Sequence, residues 1–185
     1  MKYHRNRKKP EESRFSPPTS TQVRRIYIDT CALVEFDAFL TFMEIHKKSL
    51  ESGKLCFCVP RKVVYEIVSI LNNPSKSLST KRSAFCALLL LQTLCKKSMI
   101  EFFGMTDRIA DAVFLEHAVS QFCDEPLCIL TNDHTLAQDL LSFKHLSTCP
   151  VRNLELCELC SDGTIRKYRD TEDFVTGFQK KEDEL

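Results

Sequence analysis

The chain of 185 residues is 43% hydrophobic and 28% charged, with a formal net charge of +1. That balance fits one ordinary globular domain with tails and excludes a wholly disordered or fibrous chain. The longest apolar stretch, AFCALLLLQTL at 84–94, is about half a bilayer span and contains Gln92, so no membrane-spanning helix is expected.

The first segment is strongly basic. Residues 1–25 carry eight Lys/Arg against two Glu, and residues 1–23 read as a disordered tail that either touches phosphates or simply aids solubility. No apolar core follows the basic residues, as a secretory signal would require. Ten cysteines without an export signal read as reduced thiols in a cytoplasmic protein. Cys56, Cys58, Cys86, Cys95 and Cys128 sit in apolar runs, where a thiol packs as a small hydrophobe. The terminal KEDEL is expected to be an incidental likeness to a retrieval tag.

In chain order, RRIYID (24–29) predicts a first strand, and LVEFDAFLTFMEIHKKSL (33–50) a helix stopped near Gly53. KLCFCVP (54–60) predicts a second strand, RKVVYEIVSIL (61–71) a packed helix and NNPSKSLST (72–80) a loop. A long helix over about 81–97 leads to a third strand at 99–103. TDRIADAVFLEHAVSQF (106–122) is a helix opened by Thr106 or Asp107, LCILT (127–131) the fourth strand, and DHTLAQDLLSF (133–143) the next helix. A fifth strand is expected within 145–154. Apolar strands alternating with helices predict an α/β fold, a three-layer α/β/α sandwich around a mostly parallel five-stranded sheet. The domain is expected to span 24–154. Residues 155–185 would be an extension with a small hairpin at Asp162-Gly163, then a flexible acidic tail.

Ligands of open α/β sheets gather at the carboxyl ends of the strands. Asp29 ends the first strand and Asp133 follows the fourth, after Thr131 and Asn132. Glu66 is the sole charge in VVYEIVSIL, on the face of Val63 and Ile70, and Asp111 lies beside the stripe of Ala110, Val113, Phe114 and Ala118. Each acid alone has an ordinary reading: a turn residue for Asp29, a helix cap for Asp133, a carboxylate reaching water for Glu66. Four converging carboxylates, however, would repel one another unless a cation neutralised them. All-oxygen ligation suits Mg²⁺ or Mn²⁺, and such a cation can polarise a phosphodiester and lower the pKa of a bound water.

IYIDTCALV, VPRKVVYEIVSIL, IADAVFLEHAV and ILTNDHTLAQDL together resemble the PIN-domain nucleases over about residues 24–154. The resemblance implies a PIN-like sandwich and an acidic quartet of Asp29, Glu66, Asp111 and Asp133, with Glu66 ligating directly or through water. Thr131 would match the family's hydroxyl after the fourth strand, and Asn132 a variable polar slot. Where family members often carry Asn or Ser two residues after the first Asp, this chain has Cys31.

The expected function is a Mg²⁺- or Mn²⁺-dependent endoribonuclease leaving 5′-phosphate and 3′-hydroxyl ends. The alternative is a PIN-fold module of weak or no activity that binds RNA or protein. Thr131, Asn132, His134, Lys76, Lys81 and Arg82 are the expected substrate contacts, the last three through backbone phosphates. RNA is the expected partner; a protein partner or inhibitor and a homodimer stay open. Asp139 is expected to turn away from the site on its helix. Cys157 and Cys160, as CELC, lack the second close pair that zinc usually needs.

Overall fold

The computed structural model describes residues 23–105, 110–120, 127–145 and 154–168. The elements run β1 (Arg24–Ile28), α1 (Thr30–Val34), α2 (Phe36–Glu51), β2 (Leu55–Pro60), α3 (Arg61–Asn72), α4 (Leu78–Lys96) and β3 (Ile100–Phe103). They continue as α5 (Ala110–Ser120), β4 (Leu127–Leu130), α6 (His134–His145), β5 (Leu154–Leu159) and β6 (Ile165–Lys167).

All strands but the last are parallel, in the order β3-β2-β1-β4-β5-β6. β6 pairs antiparallel with β5. Strand alternation sends side chains to two separate cores. Ile26, Ile28, Phe57, Val59, Cys128 and Leu130 meet α1 to α4 on one face. Tyr27, Cys58, Leu127, Ile129, Leu154 and Leu156 meet Phe114 of α5 and Leu136 and Leu140 of α6 on the other. These are the three layers of an α/β/α sandwich, burying the strands on both faces. Phe39 and Phe42 seat α2 on Phe57 with ring centroids 5.6 and 6.1 Å away.

Three differences from the expected elements have local causes. The expected helix over 33–50 is two helices, because Glu35 leaves the helical region at ψ 57° and bends the chain. α4 starts earlier, at Leu78, because the Ser77 hydroxyl accepts the Thr80 N–H over 3.1 Å and caps it. The sheet has six strands rather than five, since the hairpin at Asp162-Gly163 forms and its first arm is β5 itself. The glutamates of LELCEL can enter the sheet because they are paired. Glu155 meets Arg24 at 3.2 Å and Lys167 at 2.7 Å, and Glu158 meets Arg166.

The hairpin is docked, not appended. Gly163 has φ +77°, and a Cβ there would stand 2.6 Å from Thr41 Cβ and 2.7 Å from the Phe42 nitrogen of α2. The Thr106 or Asp107 cap, most of the range expected for a fifth strand, and both tails lie outside the described residues. No helix among the described residues is long and apolar enough to cross a membrane.

Candidate functional site

From β1 the sheet grows one way through β2 and β3, and the other way through β4 and β5. The reversal between β1 and β4 opens a crevice at their carboxyl ends, the usual ligand position in such sheets. Asp29 follows β1 there, and Thr131–Asp133 follow β4.

Thr131 ties the two strand ends together. Fully buried, its hydroxyl donates to Asp29 Oδ2 over 2.9 Å and accepts the Asp133 N–H over 3.0 Å. Its own N–H donates to the Cys157 carbonyl, so β5 shares in the arrangement. Asp29 is only 3% exposed. Burial pushes its carboxyl up to about 6, helped by Asp111, while Thr131 and the backbone at Thr30 and Cys31 pull the other way.

Glu66 belongs to the same corner. Its Oε2 accepts the Thr30 hydroxyl over 2.6 Å and its Oε1 the Ala110 N–H over 3.4 Å. One carboxylate thus joins the starts of α1 and α5, and Asp111 stands in the first turn of α5. The Asp111 carboxyl is raised, first by burial and then by Asp133, Glu66 and Asp139. Those neighbours lie 22, 45 and 28 residues away in sequence, so the fold brings the negative charges together. Asp139 is exposed on α6 and adds a lesser repulsion at Asp111.

Asp133 serves the ordinary role as well. Its Oδ1 accepts the Thr135 and Leu136 N–H groups over 2.8 and 3.1 Å, capping α6. Asn132 is committed to the scaffold, its amide donating to the Leu159 carbonyl over 3.1 Å and accepting the Leu159 N–H over 2.9 Å. This pair extends the β4–β5 ladder by one rung. His134 opens α6 exposed to solvent. Lys76 lies on the α3–α4 connection, and Lys81 and Arg82 in the first turns of α4. Among the described residues, no hydrogen bond or ion pair links these three to the carboxylates.

Two site neighbours carry weight beyond the expected set. The Cys31 thiol is pushed up to about 12 by burial and by Asp29, Asp133 and Asp111, so it stays protonated among the acids. Tyr168 donates its hydroxyl to the Thr131 carbonyl over 3.2 Å and sets its ring edge-on to His134 at 5.7 Å. A strand after Asp162-Gly163 alternates Ile165 and Lys167 against Arg166 and Tyr168, a signal that places Tyr168 on the α6 side. Cys157 of the CELC pair is buried in the core and hydrogen-bonded to Cys128.

Hard oxygen donors with mutual repulsion match the chemistry of a divalent-cation site. Yet among the described residues no three His, Cys, Asp or Glu side chains form a group that would hold a metal as they stand. The fit is one of donor type and charge, not of a finished cage. Neither protein-family models nor characterised protein sequences match this chain. Among solved structures it is similar to the PIN domain endonuclease Utp24, at 17% identity over 78% of this chain and 91% of that one, with a TM-score of 0.45.

Proposed function

We propose that the protein is a metal-dependent endoribonuclease, with Asp29, Glu66, Asp111 and Asp133 as its acidic centre. The observation that carries this reading is the meeting of acids at the ends of β1 and β4, where Thr131 ties Asp29 to Asp133 and where burial first, then Asp133, Glu66 and Asp139, raise the Asp111 carboxyl. Concentrating like charge at a half-buried position costs stability, and a site that takes up a cation gives that cost a purpose. Asp29, Asp111 and Asp133 would hold Mg²⁺ or Mn²⁺, with Glu66 at the margin. A bound cation would polarise a phosphodiester and lower the pKa of an attacking water.

This chain's own residues would supply the rest. Thr131 fixes Asp29 and Asp133 relative to each other. The Cys31 thiol, kept protonated, leaves the negative charge on the carboxylates. Lys76, Lys81, Arg82 and the basic N-terminal segment would contact RNA phosphates.

One observation favours the second reading, an inactive module that binds RNA or protein. Both Glu66 oxygens and one Asp133 oxygen already hold the scaffold together. Cleavage of RNA by wild type and Asp133→Asn in Mn²⁺, Mg²⁺ or EDTA separates the two, because Asn can still cap α6 while removing the charge. The nuclease reading expects activity only in wild type with metal. Equal activity in both proteins, or activity in EDTA, would overturn it, and RNA binding without cleavage in any metal selects the module.

A further inference from the structure

At the rim of the carboxylate crevice, two rings hold each other. His134, the residue after Asp133, is exposed and meets Tyr168 edge to face, with centroids 5.7 Å apart and planes at 84°. Tyr168 is fixed from behind. Its N–H donates to the Leu156 carbonyl over 2.9 Å, its hydroxyl donates to the Thr131 carbonyl, and its body packs against the core that α6 shares with the sheet. Burial, then Glu158, with lesser contributions from Asp133 and Cys31, pushes its hydroxyl up to about 12, so that donor persists at neutral pH.

A strand entering this crevice brings phosphates toward carboxylates that repel them, so some of its binding must come from contacts that are not electrostatic. Aromatic faces provide this for any base, because every base has a π-face. We propose that His134 and Tyr168 form a stacking wall holding one unpaired base of single-stranded RNA beside the carboxylates. The choice of RNA rests on the nuclease reading; the wall itself rests on the paired rings. Bases locked inside a duplex cannot present their faces, so the wall selects single strands.

The test measures binding rather than cleavage. The full chain, in EDTA at one fixed salt concentration, is titrated into a short labelled oligoribonucleotide and into versions lacking the base at one position at a time. Removing one particular base is expected to weaken wild-type binding roughly ten-fold. The same removal should leave His134→Ala unaffected, while His134→Phe and Tyr168→Phe, which keep the rings, should stay sensitive. A duplex of the same sequence should bind several-fold more weakly. Equal sensitivity of His134→Ala and wild type at every position, equal binding of the duplex, or no binding of the single strand would overturn the wall. Binding is read without metal, so the wall is judged apart from cleavage: coupling in EDTA with no cleavage of RNA once Mn²⁺ or Mg²⁺ is added keeps the wall and sinks the nuclease. Cleavage without coupling does the reverse.

Discussion

The Thr131 hydroxyl donates to Asp29 Oδ2 across 2.9 Å although 102 residues of chain separate them. The same oxygen accepts the Asp133 N–H, so one buried side chain sets the spacing of two acids. Thr131→Val keeps the shape and removes both bonds, leaving the buried Asp29 carboxylate and the part-buried Asp133 N–H short of partners. The expected loss is about 1–3 kcal/mol in urea unfolding, with Thr131→Ser close to wild type. Equal loss in the two variants would show that the methyl packing, not the hydroxyl, matters.

Asp29 sets a pH dependence of stability. Its carboxyl lies at about 6 in the fold against 3.8 for the ordinary group, so the folded state holds the proton more tightly. That contribution is fully present below about pH 4 and is lost as pH rises through 6. Above that range the ionised group costs up to about 3 kcal/mol, at roughly 1.4 kcal/mol per pH unit. Asp29→Asn is therefore expected to be more stable than wild type at pH 7.5, with the difference vanishing near pH 4. Urea unfolding at both pH values checks this; a difference independent of pH would refute it.

Asn132 fastens β5 to the end of β4 through two hydrogen bonds to Leu159. Asn132→Ala is expected to cost about 1–3 kcal/mol and to speed amide exchange at Leu159 more than at Leu130. Unchanged exchange at Leu159 would mean that the β4–β5 ladder and the seating of Gly163 on α2 hold the hairpin without Asn132.

The layers were legible because apolar runs and helical stripes repeat on a regular spacing, and the ends of β1 and β4 were legible because Asp29 and Asp133 interrupt apolar runs. What local pattern cannot carry is which strands become neighbours. Nothing near Ile28 announces Leu130 beside it, or Cys157 beyond, and hence the buried position of Thr131 is a product of topology. β5 was hidden for a different reason. Glu155 and Glu158 make LELCEL look peripheral until Arg24, Lys167 and Arg166 pair with them. Glu66 was visible as an acid on an inward face, but its link to Ala110 arises only where α3 meets α5. Asp139 adds to the repulsion at Asp111 because α5 and α6 lie on the same face of the sheet, which a helical wheel drawn for one helix cannot reveal.

Uptake of Mn²⁺ by the carboxylates can be measured without any substrate, from the loss of the free-ion electron paramagnetic resonance signal. Asp111 is the place to probe it, since burial first and then Asp133, Glu66 and Asp139 raise its carboxyl. Wild type is expected to take up Mn²⁺ at neutral pH, and Asp111→Asn to do so at least about ten-fold more weakly, a difference of roughly 1.4 kcal/mol. Equal uptake by the two proteins, or none by wild type, would contradict a cation site in this crevice.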